Sequence, residues 1–212
     1  MFAPYVRDPA ARQRELHEFE RLLQAGTALG ERADILPFFR QNRHLAACLG
    51  YANNNLASPD LLGVEQELLG FRCDIAIGDS RRSQFTLVEL EDASEKSIFR
   101  PRTLTRAFPH WSNRLEAGFS QLVDWAWRIG RERQPSVTLQ PIFGTPDPRI
   151  HYLLVIGRDR WLDAAGSARL DWPYRNNGIQ GQLMTVWTYD YFLGFVQARI
   201  NEAMADSASA HR

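Results

Sequence analysis

Three carboxylates sit where carboxylates are costly: Asp74, and fifteen residues later Glu89 and Glu91 in the run Glu89-Leu90-Glu91. Each lies in a stretch that otherwise alternates apolar residues. Phe71-Arg72-Cys73-Asp74-Ile75-Ala76-Ile77-Gly78 and Phe85-Thr86-Leu87-Val88-Glu89-Leu90-Glu91 both carry the period-2 pattern of half-buried strands. Desolvating an unpaired carboxylate costs roughly several kcal/mol even after relaxation, so acids placed there call for a cation. Glu89 and Glu91 are two apart and share a strand face, whereas Leu90 points into the opposite layer. Oxygen donors on neighbouring strands suit a hard divalent cation.

The segment that follows has the opposite character. Residues 96–114 hold Lys96, Arg100, Arg102, Arg106 and Arg114 and no acid, a local charge of +5, interleaved with Phe99, Phe108, His110 and Trp111. Cations beside an acid cluster fit a phosphate backbone, with the carboxylates left to hold metal, and aromatic rings can stack on exposed bases. The same residues have simpler uses as surface ion pairs, at ~0 to 1 kcal/mol each, and as core rings. Other chemistries lack their signatures. The histidines at 17, 44, 110, 151 and 211 show no zinc spacing, no glycine-rich phosphate loop is present, and there is no Gly-x-Ser-x-Gly elbow.

The elements that must position these groups follow from periodicity. Residues 9–24 place Leu16, Phe19, Leu22 and Leu23 at helical steps among many charges, which predicts a surface helix ended by Gly26. Residues 33–49 repeat that pattern, with Pro37 in the first turn and Gly50 as the stop. Turn chemistry at Asn53-Asn54-Asn55 and Ser58-Pro59-Asp60 starts the next element near Leu61 or Leu62. Three apolar runs over 62–91, parted by short polar or glycine-bearing breaks, predict an antiparallel meander. The first run, with Glu65 and Glu67, also reads as a helix starting at Ser58. A helix over 111–129 is expected with Asn113 as N-cap and Glu116 as its N3 acid, then strands over 150–156 and 183–188 and a last helix over 189–204. The expected fold class is α/β: a mixed sheet flanked by helices.

With 212 residues and 44% apolar composition, the chain is expected to form an N-terminal helical appendage (1–30), one main domain (31–205) and a frayed tail (206–212). The net charge is zero, so polyanion binding must come from a local patch. Cys48 and Cys73 lie in apolar surroundings and match no metal spacing, as expected of reduced thiols in a cytoplasmic protein. No apolar run approaches the ~20 residues of a membrane span, and the first residues lack a signal-peptide layout.

Several of these stretches resemble a known family. An αβββαβ order with Asp on the second strand and Glu-x-Lys or a substitute on the third is the pattern of the PD-(D/E)xK nuclease-like superfamily, whose core is restriction-endonuclease-like. More narrowly, the chain resembles the nuclease domain of the Shedu family of bacterial anti-phage defence proteins over roughly residues 33–195. The resemblance rests on residues 71–79, on Val88-Glu89-Leu90-Glu91-Asp92-Ala93, on Gly118-Phe119-Ser120-Gln121-Leu122-Val123-Asp124-Trp125, on Val155-Ile156-Gly157-Arg158 and on Thr188-Tyr189-Asp190. It implies a metal-dependent DNA endonuclease in which Asp74, Glu89 and Glu91 hold Mg2+ or Mn2+. Gln121 would be near the phosphate or the nucleophile, and Asp124-Trp125 would replace a helix tyrosine. Lys96, Arg100, Arg102, Arg106 and Arg114 would meet DNA.

The sequence departs from the family pattern at Glu91, which stands where a lysine is usual. A glutamate there accepts a proton or binds metal but cannot supply the cation; Lys96 would do so if the chain bends sharply after Asp92. The alternative is a catalytically inactive protein of the same fold that binds nucleic acid or a protein partner. A weaker third reading makes the helix over 9–24 a docking element. Shedu relatives form oligomers, which implies a homo-oligomer, and usually carry an N-terminal sensing domain; with about thirty residues ahead of the resemblance, the chain is expected either to work as a bare nuclease domain or to take its trigger from a separate sensor chain.

Overall fold

Short hairpin breaks and strongly apolar strands build one seven-stranded sheet. The strands are β1 (Ala3–Pro4), β2 (Leu61–Leu68), β3 (Phe71–Asp79), β4 (Gln84–Leu90), β5 (Arg149–Val155), β6 (Gly178–Ile179) and β7 (Gln182–Trp187), in the spatial order β1-β2-β3-β4-β5-β7-β6. The computed structural model describes residues 2–25, 28–101, 109–132, 138–176, 178–179 and 182–209. β1 to β4 pair antiparallel, β5 pairs parallel with both β4 and β7, and β6 closes the edge antiparallel. The first apolar run is therefore a strand, joined to β3 by a tight turn at Leu69 and Gly70, both at positive φ (49° and 78°). The mixed sheet and the αβββαβ order agree with the expected fold class.

Helices cover both faces. On one side α1 (Pro9–Ala25), α2 (Leu36–Gln41), α3 (Arg43–Ala46) and α7 (Tyr189–Ser209) bury Leu16, Phe19, Phe39, Leu45 and Phe192 against Ile75, Ile77, Val88 and Leu90. On the other, α4 (Asn113–Arg131), α5 (Gln140–Phe143) and α6 (Ala164–Asn176) bury Leu115, Leu122, Trp125, Phe143 and Leu170 against Phe85, Leu87, Tyr152 and Leu154. Every residue of β4 is buried, as befits a central strand covered on both sides. α1 is a surface helix on one side only: Phe19 is fully buried, which ties this helix into the core beneath the sheet. No helix among the described residues is long and apolar enough to cross a membrane.

Three local predictions are corrected. The expected helix over 33–49 is broken into a π-turn at Glu31–Ile35, α2, α3 and a 3-10 segment at Ala47–Ala52, with Asn42 between α2 and α3 at φ −107° and ψ 67°. Gly50 does not end it: a Cβ there would come within 2.7 Å of Ile77 Cγ2, so glycine serves the close approach of this segment to β3. The cap of α4 is Ser112, whose Oγ accepts from Leu115 N at 3.0 Å, which shifts the predicted cap by one residue. The last helix runs on through Ser209.

The alternation in β3 also breaks. Ile75 and Ile77 belong to the α1 side, but Cys73 and Phe71, two and four positions earlier on what should be the same face, pack on the α4 side. The β2–β3 ladder passes from Val64↔Ile75 to Gln66↔Cys73 and leaves out Glu65 and Asp74, with Glu65 at φ 51°. A left-handed residue at this point turns the ribbon over. Glu65 is held there by ion pairs with Arg40 and Arg72.

Candidate functional site

Asp74 sits at that break, where β3 and β4 separate. Their pairing ends at Ile75↔Val88, and beyond it the Asp74 carboxylate takes the place of the strand: Oδ2 accepts from Leu90 N at 2.8 Å. β4 instead continues along β5, with Glu91 N donating to Val155 O at 2.9 Å. Glu89 and Glu91 share the face of Leu87 and Phe85 and lie under α4, each 8% exposed. The structure thus brings Asp74 and Glu89 side by side at the end of the central strands.

α4 closes the site from above. Gly118 allows it to approach, because a Cβ there would meet Leu154 Cδ1 at 2.8 Å and Glu91 Cγ at 3.4 Å. One turn on, Gln121 lies near Glu89, where its side-chain amide favours the charged carboxylate. One turn back, Arg114 reaches down to the strand end, with Nη1 3.1 Å from Glu91 Oε2 and Nε 2.9 Å from Asp92 Oδ2. On the other side of the sheet the Tyr189 hydroxyl donates to Glu91 O at 2.5 Å, fixing the backbone there.

The electrostatics are unfavourable to three anions. Burial pushes the Glu89 carboxyl up to about 10, and the charges of Asp74, Glu91 and Glu31 push the same way. Burial raises Asp74 to about 6 against the lowering effect of the Leu90 amide, and raises Glu91 to about 7 against its bond to Arg114. Asp74 and Glu89 act as a unit, and near neutral pH the pair holds a proton that an exposed pair would have lost. Glu89 Oε2 is buried with no hydrogen-bond partner among the described residues.

Glu31 is the residue that sequence reasoning missed. It acts on Asp74, Glu89, Glu91 and Arg114 alike, from a π-turn on the far side of the break, and its side chain is 20% exposed. The sequence offered no spacing that tied it to the strands.

The donor set suits a divalent ion in a limited way. Among the described residues no three His, Cys, Asp or Glu side chains are arranged as a metal-holding group. Glu91 is drawn to Arg114, so the donors that stand together are the Asp74–Glu89 pair with one unpartnered oxygen. Mg2+ is commonly held by one or two carboxylates, with water and substrate phosphate completing its shell, so the pair fits that chemistry.

The predicted basic residues are dispersed. Arg114 joins the acid site in the place foreseen for Lys96, while Lys96 is exposed and lines a cavity of about 360 Å³ with Phe99, Trp161 and Arg169. Arg100 braces its loop against α4, donating to Trp111 O at 3.0 Å and bonding Asn113 Oδ1. Phe99 and Trp111 stack on each other at 4.8 Å beneath the Arg169 guanidinium, and Trp125 is buried against Phe71 at 5.2 Å. Arg102, Arg106 and Phe108 lie outside the described residues.

Arg158 and Asp190, from the last two motifs, hold the fold. Arg158 is 6% exposed and pairs twice with Asp190 (Nε–Oδ2 2.9 Å, Nη2–Oδ1 2.8 Å), while Nη1 donates to Leu23 O at 2.9 Å. Thr188 caps α7, its Oγ1 accepting from Tyr191 N at 3.1 Å.

Fold and site together define an α/β protein whose helix-covered mixed sheet gathers acids at the end of its central strands. The sequence model of the family described as Shedu protein SduA, C-terminal, matches residues 30–193, a span that takes in Glu31 and every acid of the site. The chain belongs to the Shedu family. No curated protein matches it closely.

Proposed function

We propose that this chain is a metal-dependent DNA endonuclease of anti-phage defence that hydrolyses phosphodiester bonds at Asp74 and Glu89. The observation that carries this reading is the pair itself. Two like-charged groups share a confined place, one oxygen has no partner, and the neighbouring cations Arg114 and Arg72 are engaged elsewhere, with Glu91 and Asp92 and with Glu65. Packing does not reward such an arrangement, whereas a divalent cation between the carboxylates would.

Asp74 and Glu89 would hold Mg2+ or Mn2+, which would polarise the scissile phosphate and lower the pKa of an attacking water. The Leu90 amide fixes the orientation of Asp74 through its hydrogen bond, and Gln121 on α4 lies near Glu89 and favours its charged form. Glu91, pushed up to about 7, is poised to take a proton from water near neutral pH, the condition under which a general base works best. Arg114 supplies the positive charge that the usual lysine would bring and, with Lys96 and Arg100, offers contacts to the DNA backbone.

The test is incubation of supercoiled plasmid with the full chain and Mg2+ or Mn2+. Nicking is expected, with loss in Asp74→Asn and Glu89→Gln of at least about a hundredfold, the scale of a removed electrostatic contact at a reacting centre. An inactive protein of the same fold is the second reading, favoured by the Glu91–Arg114 pair at the lysine position. Intact plasmid under every metal condition, with calorimetric metal binding that disappears in Asp74→Asn, would establish that reading instead.

A further inference from the structure

Beside the acid pair a groove of about 440 Å³ opens between α4 and the β2–β3 turn, lined by Phe71, Arg72, Gln121, Asp124, Trp125, Trp127 and Arg128. It adjoins the site through Gln121, which lines it and lies near Glu89, and through Arg72, which lines it and whose charge acts on Asp74. The floor is rigid, because Phe71 and Trp125 stack at 5.2 Å with their planes 15° apart. Trp127 lines the groove and remains 51% exposed, which is unusual for so large an apolar ring, and Arg131 lies over it at 5.1 Å. Arg128 extends over Gly70 and has no ion-pair partner among the described residues.

We propose that this groove grips an unpaired nucleotide of the DNA strand next to the bond being cut, with its base on Trp127 and its phosphate between Arg128 and Arg131. The inference deepens the endonuclease reading by naming a feature of the substrate. An exposed indole flanked by guanidinium groups is a stacking platform with a phosphate clamp, and it needs a base that has left its pair. The volume suits one small organic group and not a duplex. A second copy of this chain is the competing occupant. The charge favours nucleic acid: with Arg72 paired to Glu65, Arg128 and Arg131 still outnumber Asp124 around the groove.

The experiment is fluorescence anisotropy in EDTA, where cleavage cannot occur, with a labelled oligonucleotide either single-stranded or fully paired. Single strands are expected to bind several-fold more tightly. Trp127→Ala should weaken single-strand binding about tenfold, the scale of one stacked base, and Trp127→Phe should restore most of it. Arg128→Ala should weaken both substrates and reduce the salt slope by about one. Equal affinity for paired and unpaired DNA, or a silent Trp127→Ala, would overturn the proposal. So would light scattering in which Trp127→Ala dissociates an oligomer while DNA affinity stays unchanged. Binding without cleavage would leave the grip standing and remove the nuclease reading; metal-dependent nicking without strand preference would do the reverse.

Discussion

Two of the places where this molecule buries charge do so in opposite ways. At the start of α7, Arg158 and Asp190 satisfy each other through paired bonds, and their remaining groups bind Leu23 O and Asp159 N. At the end of β4, Asp74 and Glu89 are confined beside each other with an oxygen left over. The first arrangement is complete within the chain and joins α1, the segment after β5, and α7. The second is incomplete by itself, the usual mark of a place shaped for something that arrives from outside.

Removing a partner should therefore have opposite signs in the two places. Arg158→Ala leaves Asp190 without its cation and is expected to lower unfolding free energy by about 3 to 5 kcal/mol, read from urea denaturation. A loss below about 1 kcal/mol would make the pair an ordinary surface contact. Glu89→Gln or Asp74→Asn, measured in EDTA at pH 8, should instead stabilise the protein by on the order of 1 to 4 kcal/mol, because a neutral amide keeps the shape and removes the cost of confining a second charge or holding a proton in its place.

The pH dependence sharpens the contrast. Asp74, Glu91 and Glu89 all titrate above their ordinary range (about 6, 7 and 10), so the folded chain binds protons that the unfolded chain has already released. Stability of the metal-free protein should fall as pH rises from about 4.5 to 8, by at most about 1.4 kcal/mol per pH unit for each such group. The fall through Asp74 and Glu91 should be complete by about pH 8, with only Glu89 continuing into the alkaline range. A double variant, Asp74→Asn with Glu89→Gln, should flatten most of that slope in thermal melts across the same range. At the small end of the scale, Ser112→Ala removes a neutral cap and should cost about 1 kcal/mol with no pH dependence.

What could be read from the sequence follows the same division. β4, β5 and α4 were legible because each has one period and one buried stripe, and Glu89, Glu91 and Gln121 came with them onto the correct side. Glu31 was not legible, since an acid in a short irregular turn reaches the site only through tertiary folding. The capping of α4 slipped because Ser112 and Asn113 are both good caps and only the geometry chooses between them. The reversal in β3 was hidden for another reason: Phe71, Cys73, Ile75 and Ile77 are all apolar, so the pattern looks regular on either face. The segment over 33–49 kept its apolar face but not its continuity, because Asn42 turns its side chain back to Phe38 O at 2.9 Å.

That reversal has a mechanical result. The ribbon of β2 and β3 delivers Leu62 and Ile77 to one hydrophobic layer and Leu68 and Cys73 to the other, so a single hairpin is stitched through both. Neither layer can peel from the sheet while the stitch holds. Amide protons on both halves of the hairpin should therefore exchange with solvent only when the whole domain opens, and the knot of the stitch is the residue pair that carries Asp74.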